Sequence, residues 1–142
     1  MRPPTNSLVT TLVLIGLTSL TPAILHAGQS NSLMDISTDG RLLACSNRDS
    51  NTVTIVDLAT LKVRHEVAVG KKPEGVTFLG KTHRLAVAVY ASDQVVLVDA
   101  DTGKTLAKLD VFDEPYGVVS HRDGKRLYVT LESPGQVLEI DT

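Results

Sequence analysis

The sequence lacks tryptophan and has a single cysteine, Cys45. One cysteine excludes a disulfide framework within the chain, a Cys-x-x-Cys-His haem attachment and a zinc site built from several cysteines. Positive charge is not in excess either, because 14 Lys and Arg stand against 16 Asp and Glu, giving a formal net charge of -2. We therefore expect no nucleic-acid partner. Hydrophobic residues still make up 42% of the 142 residues, which predicts one globular domain rather than a disordered chain.

Acidic residues are missing from residues 1–34, where the only charged side chain is Arg2. An apolar run begins at Leu8, is broken by Pro22, and is followed by small residues at 27 and 28. This pattern predicts a secretory signal peptide over residues 1–27. The run is shorter than the roughly 20 apolar residues that a membrane span needs. An uncleaved anchor and a buried helix are the alternatives. The signal peptide predicts export to the periplasm, the medium or the cell surface, with no membrane span after its removal.

The rest of the chain repeats with a period of 42 residues. No insertion or deletion is needed to align the three units, at about 31–69, 73–111 and 115–142. Three sets of identical residues carry the period: Leu43, Leu85 and Leu127; Val53, Val95 and Val137; Asp57, Asp99 and Asp141. A period of this length with strand-like content is typical of propeller blades.

Each unit is predicted to form four short strands in an antiparallel meander. The third strands, 53–56 and 95–98, are apolar at nearly every position, which indicates that both of their faces are covered. The fourth strand, 105–111, is the most polar and is predicted to lie at the outer edge. Asp-Gly pairs at 39–40 and 123–124 predict hairpin turns. The fold class is therefore all-β: propeller blades over residues 28–142, two complete and a third partial, without a long helix.

Residues that suggest chemistry have simpler structural interpretations. The three aspartates of the repeat are predicted to cap turns, because equivalent positions on different blades do not converge on one substrate. Cys45 aligns with Val87 and Val129 and is predicted to be a small buried hydrophobe, with a reactive thiol as the alternative. No His pair has metal-ligand spacing. We predict no catalytic residues, no metal and no cofactor.

Several short motifs resemble the YVTN β-propeller repeat, named for a Tyr-Val-Thr-Asn run. They are the second strand Leu127-Tyr128-Val129-Thr130, the Asp-Gly-Lys-Arg stretch before it, the Asn51-Thr52-Val53 step, and the link from Val69 to Val76. The resemblance covers about residues 31–142. It implies an extracytoplasmic bacterial or archaeal propeller, a kind sometimes attached to cell-surface or redox modules.

Three units are fewer than the four to eight blades with which propellers usually close. We therefore expect the chain to be a fragment of a longer propeller, whose remaining blades are its partners. Assembly of several chains into one ring is an alternative, as is a stable open array of three blades.

Candidate ligand contacts lie on one rim of the predicted propeller, where loops vary while the scaffold repeats. Arg48, Tyr90 and Glu132 occupy the same repeat position and differ in chemistry, and Tyr116 is placed beside the axis. Solvated surface is the alternative interpretation of these loops. The predicted function is binding or scaffolding outside the cytoplasm, with an unknown ligand or protein as partner. Enzymatic activity is uncertain: the alternative is part of a propeller enzyme, a lactonase-like hydrolase or a quinone- or haem-linked oxidoreductase.

Overall fold

The computed structural model describes residues 27–142, so the signal peptide predicted over residues 1–27 lies outside the described residues except at Ala27. The described part consists of strands and a single 3₁₀ turn, Tyr90–Ser92. Within it, no helix is long and apolar enough to cross a membrane. The strands are β1 (Asn31–Ile36), β2 (Leu42–Asn47), β3 (Thr52–Asp57), β4 (Lys62–Ala68), β5 (Pro73–Phe78), β6 (Arg84–Val89), β7 (Gln94–Asp99), β8 (Lys104–Asp110), β9 (Pro115–Ser120), β10 (Arg126–Leu131) and β11 (Gln136–Asp141).

These strands form three antiparallel meanders, in which each strand pairs with its neighbours in sequence. The first two sheets, β1–β4 and β5–β8, have four strands, and the third, β9–β11, has three. The predicted all-β architecture of two complete units and a partial third is confirmed. Strand β8 lies at the edge of its sheet and is exposed at every residue, so the outer position predicted from its polar sequence is also confirmed.

The hydrophobic core lies between the sheets. Their first strands, β1, β5 and β9, run side by side, and each sheet packs its face on the next. The second sheet packs on both neighbours, because Val87 and Val96 belong to its core with the first sheet and Ala86 and Val95 to its core with the third. This double cover explains why β6 and β7 are apolar at successive positions instead of alternating with polar residues.

Backbone contacts set the spacing between the inner strands. At Gly75 in β5, an added Cβ would lie 2.5 Å from the carbonyl oxygen of Tyr116 and 2.8 Å from the nitrogen of Val118, so only glycine fits where β5 approaches β9. Between β1 and β5, a carboxylate oxygen of Asp35 accepts hydrogen bonds from the Phe78 N–H at 2.8 Å and the Thr77 hydroxyl at 3.1 Å. The three inner strands are therefore held together by direct contacts.

The turns carry the caps that the repeat predicts. Asp57 Oδ1 accepts the backbone N–H groups of Ala59 at 3.1 Å and Thr60 at 2.9 Å, and Asp99 caps its own turn through the equivalent bonds. Hydrogen bonding to the turn backbone lowers the pKa of both carboxyls. The interpretation of these two aspartates as turn caps is confirmed.

Cys45 lies in β2 and is buried, with 4% of its surface exposed. Burial raises the pKa of its thiol, which disfavours the reactive thiolate form. The predicted role as a small buried hydrophobe is confirmed.

The free face of the third sheet departs from the repeat. It presents Tyr128 and Glu139, which pair across β10 and β11. The corresponding positions of the first two sheets are small or apolar: Ala44 and Ile55 in the first, Ala86 and Leu97 in the second. A hydrogen bond to Glu139 raises the pKa of Tyr128. The third sheet thus presents a polar pair where the other two present a contact surface for the next sheet.

Burial in the sheet interface predicts a large difference between two substitutions. Val96 is fully buried between the first and second sheets, so Val96→Asp should destabilise the fold by several kcal/mol, through an unpaired buried charge. Lys71 lies in an exposed link, and Lys71→Ala should change stability by no more than about 0.5 kcal/mol. Urea unfolding of the two variants, followed by circular dichroism, measures the difference. Equal losses would mean that β7 is not covered on both faces.

Candidate functional site

One rim of the three sheets is formed by the loops between the second and third strands of each sheet and by the links from one sheet to the next. We call it the upper rim; it consists of the connections 47–51, 69–72, 90–93, 111–114 and 132–135 and of the first two residues of β5 and of β9, at 73–74 and 115–116. Hydrogen bonds join its loops across sheet boundaries: Asn51 Oδ1 accepts the Lys72 N–H at 3.1 Å, and Asp93 Oδ1 accepts the Glu114 N–H at 3.1 Å. These hydrogen bonds fix the position of each loop relative to the next.

Two tyrosines meet above the boundary between the second and third sheets. Tyr90 begins the 3₁₀ turn after β6, and Tyr116 follows Pro115 in β9. Their ring centroids are 6.3 Å apart and their planes are at 89°, an edge-to-face pair. Tyr116 is 45% exposed, so the pair offers aromatic surface to solvent. Two of the four predicted contact residues are in direct contact.

Carboxylates surround this pair. Hydrogen bonding to Glu114, together with partial desolvation, the charge of Glu114 and the nearby Glu132, raises the pKa of Tyr90 to about 12. The Tyr90 hydroxyl therefore keeps its proton above pH 10, where an ordinary tyrosine is ionised. Glu132, the third predicted contact residue, belongs to the same cluster. Residues 90–93, 111–116 and 132–135 contain four acids and no Lys or Arg, so this half of the rim is negative.

Arg48, the fourth predicted residue, lies on the side of the first sheet, within electrostatic range of Tyr116, and has a structural partner. Its Nε donates to Oε1 of Glu74 in β5, whose side chain is only 3% exposed. The Ser32 hydroxyl donates to the second carboxylate oxygen of Glu74 at 2.8 Å. The hydrogen bond and charge of Glu74 raise the pKa of Arg48. This ion pair joins the first sheet to the second, and 41% of the Arg48 side chain remains exposed.

Glu74 and Glu114 also lie on this rim, but they are not among the four contact residues predicted from the sequence. Ser32, Glu74 and Tyr116 occupy one repeat position, 42 residues apart, and differ in chemistry. The criterion that selected Arg48 and Tyr90 would therefore have found Glu74 as well. Glu114 could not be selected in this way, because its role depends on the Tyr90 ring of a neighbouring sheet.

The opposite, lower rim holds a histidine between two carboxylates. It consists of the turns 37–41, 57–61, 79–83, 99–103 and 121–125. His83 Nδ1 lies 2.9 Å from Oδ2 of Asp101, and its Nε2 lies 3.0 Å from Oδ2 of Asp39. Asp101 also accepts a hydrogen bond from Arg64 Nη1 at 2.9 Å. Since Asp39 and Arg64 belong to the first sheet, and His83 and Asp101 to the second, this cluster joins the two sheets at their lower rim.

The geometry shifts the pKa values of this cluster. Partial burial lowers the pKa of His83, but the hydrogen bonds and charges of Asp101 and Asp39 outweigh it and raise that pKa above its ordinary value of 6.5. The Ser37 hydroxyl donates to Asp39 at 2.7 Å; this bond, with those from Arg41 and His83, outweighs desolvation and lowers the pKa of Asp39 to about 2. Both shifts favour the charged forms, so the cluster is an ion pair at mildly acidic pH.

The other histidines of residues 27–142 also have structural partners. His65 contacts the carbonyl oxygen of Asp101, and His121 pairs with Asp123 in its own turn at 2.8 Å. Across residues 27–142, no group of three or more His, Cys, Asp or Glu is arranged to hold a metal ion.

Comparison with known proteins establishes the fold. No family model and no curated protein sequence matches the chain. Among solved structures, the chain is similar to Kuenenia stuttgartiensis hydrazine synthase, with 31% identity, a TM-score of 0.77, and coverage of 89% of this chain and 36% of that one. It is also similar to the Swd1 β-propeller domain of Myceliophteria thermophila, with 21% identity, a TM-score of 0.68, and coverage of 82% and 36%. The three sheets are propeller blades. The chain spans about a third of the length of these two proteins.

The ion pair at the lower rim should make stability depend on pH. Because the pKa of folded His83 is raised, its contribution is fully present below the unfolded value of 6.5 and is lost as pH rises through the folded pKa. The contribution of Asp39 is present above 3.8 and is lost as pH falls towards about 2.

We therefore expect His83→Gln to destabilise the fold more near pH 5.5 than near pH 8.5. A double-mutant cycle of His83→Gln with Asp39→Asn isolates the pair from the capping role of Asp39. Thermal unfolding of the four proteins at both pH values gives the coupling free energy. A coupling that is the same at both pH values would show that the charge on His83 does not contribute.

Proposed function

We propose that this chain is a YVTN-type β-propeller module that binds a ligand or a protein outside the cytoplasm, with the upper rim as its contact surface. The observation that carries the proposal is the Tyr90–Tyr116 pair. Two variable rim positions from neighbouring blades hold aromatic rings there, with their centroids 6.3 Å apart. A propeller provides the rigid scaffold on which such loop residues act as ligand contacts.

The chemistry of this surface favours a cationic group. An aromatic face attracts a cation through its quadrupole, and Glu114 and Glu132 add negative charge beside the ring of Tyr90. Tyr90 is a neutral phenol whose hydroxyl donates to Glu114, so the carboxylates carry the negative charge of this surface. We infer that the partner presents an ammonium group, carried by a small amine or by a lysine side chain.

Export is the second element of the proposal. It is supported by the acid-free apolar start of the sequence and by the YVTN-like motifs of the second strands and links. The buried, unpaired Cys45 is compatible with an oxidising compartment, because it has no partner thiol within the chain.

A propeller segment of a larger redox enzyme is the second candidate. Its support is the 31% identity with hydrazine synthase over most of this chain. This chain covers only 36% of hydrazine synthase, so the activity in that name belongs to a much longer protein. The binding surface, in contrast, is built from this chain's own side chains. The binding module is therefore the better-supported function.

A choline titration tests the proposed binding surface, with the third tyrosine, Tyr128, as a control. Choline carries a quaternary ammonium group and should shift the ring signals of Tyr90 and Tyr116 in NMR spectra. Tyr116→Ala should weaken choline binding by about tenfold, a cation–π contribution of about 1.4 kcal/mol. Tyr128→Ala, on the free face of the third sheet, should leave it unchanged. Shifts that do not saturate, or an equal loss in both variants, would contradict the proposal.

Export predicts a shortened N-terminus. When the full-length gene is expressed in a bacterium with a Sec pathway, mass spectrometry of the periplasmic or secreted protein should find an N-terminus within a few residues of Gly28. Leu14→Arg, which breaks the apolar run, should keep the protein in the cytoplasm with Met1 uncleaved. An intact soluble wild-type protein in the cytoplasm would refute export.

A further inference from the structure

The lower ends of the three inner strands enclose a cleft that the proposed function does not use. Its volume is about 440 Å³, within the range of about 300–1,000 Å³ that small-molecule sites occupy. It spans all three blades, because its walls come from β1, β5, β9 and the turns that follow them. Its side chains include Ile36, Thr38, Phe78, Lys81, His121 and Arg122.

Positive charge prevails in this cleft. Lys81 and Arg122 line it, and within residues 27–142 neither has an ion-pair partner. His121 also lines it and pairs with Asp123. The single carboxylate of the wall, Asp35, accepts hydrogen bonds from Phe78 and Thr77 and so helps to join β1 to β5. The two unpaired cations are therefore available to an anion.

Both cations replace residues that the repeat uses differently. Asp39 and Asp123 cap the lower-rim turns of the first and third units, where each accepts a backbone N–H two residues later. In the second unit this position is Lys81, and Thr82 Oγ1 accepts the Arg84 N–H at 3.2 Å instead. Because Thr82 provides the cap, position 81 is not needed for the turn and can carry a cation. Arg122 stands where the other units have Thr38 and Gly80.

Close packing holds these two turns together. An added Cβ at Gly80 would lie 2.8 Å from the backbone nitrogen of Gly124, so the turns that carry Lys81 and Arg122 are in direct contact across the blade boundary. The Gly80 N–H also donates to the Ser120 hydroxyl at 3.3 Å. Beside the cations, Ile36 exposes 53% of its surface as an apolar wall. The cleft thus joins a cationic end to an apolar side on a packed framework.

We propose that this cleft binds a small organic anion, with its carboxylate or phosphate group held by Lys81 and Arg122 and its apolar body against Ile36. The planar guanidinium of Arg122 matches two oxygens of either group, and the ammonium of Lys81 adds a compact charge. This site is separate from the upper rim in position and in charge: one surface attracts cations and the other attracts anions.

Amide NMR of the full chain tests the proposal with three probes of one shape. Phenylacetate and phenyl phosphate carry the two anionic groups, and phenylacetamide is the neutral counterpart of phenylacetate. The two anions should give saturable shifts at Thr38, Gly80 and Ser120, whereas phenylacetamide should give none at concentrations of roughly 10 mM. Whichever anion binds more tightly identifies the preferred group.

Two double variants then test whether Lys81 and Arg122 hold the anion. Lys81→Gln with Arg122→Gln should weaken anion binding at least about tenfold. Lys71→Gln with Lys72→Gln removes the same charge from the upper rim and should leave anion binding unchanged. Thermal unfolding confirms that each variant is folded, and the comparison of phenylacetate with phenylacetamide on the wild-type chain does not depend on any variant. Equal binding of the neutral probe, equal losses in both double variants, or no saturable shift with either anion would overturn the proposal.

Discussion

Packing of one sheet face on the next is the interaction on which the rest of the structure depends. Each blade is a small meander that could not bury its apolar residues alone. The second sheet is covered on both sides by its neighbours. Val87 and Val96 face one way while Ala86 and Val95 face the other. The close approach at Gly75 fixes how near the inner strands come. This packing also sets the geometry of both rims, because their loops begin and end on the packed strands.

Much of this fold could be predicted from the sequence, because the 42-residue period allows each position of one unit to be compared with the same position of the others. Strand positions, the outer location of β8, the capping role of Asp57 and the burial of Cys45 all follow from local pattern and alignment. Contacts between non-equivalent positions could not be predicted. The pairing of Arg48 with Glu74, and of His83 with Asp39 and Asp101, joins residues that no repeat register relates. Such pairs depend on the distance between neighbouring blades, which a one-dimensional pattern does not contain.

The two rims show how a repeated scaffold acquires different chemistry at its two ends. At the upper rim, a variable loop position supplies Tyr90 and Glu132, and the half of the rim around them carries no base. At the lower rim, transfer of a turn cap to Thr82 leaves position 81 open to a lysine. In both cases the pattern of strands is kept while the turns change, since a turn needs only one suitable hydrogen-bond acceptor and tolerates variation around it. Binding residues can therefore be exchanged at little cost to the core.

The polar pair on the free face of the third sheet bears on the order in which blades can follow one another. An ordinary blade would place an apolar surface against Glu139, and a carboxylate buried there without a cationic partner would be strongly destabilising. A sheet packed on this face would have to bring a hydrogen-bond donor or a positive charge, and to leave room for the ring of Tyr128 where the other faces have alanine. Blades that share a fold are consequently not interchangeable. Such a mismatch disfavours the packing of an ordinary blade on this face, and so restricts which units can lie next to one another.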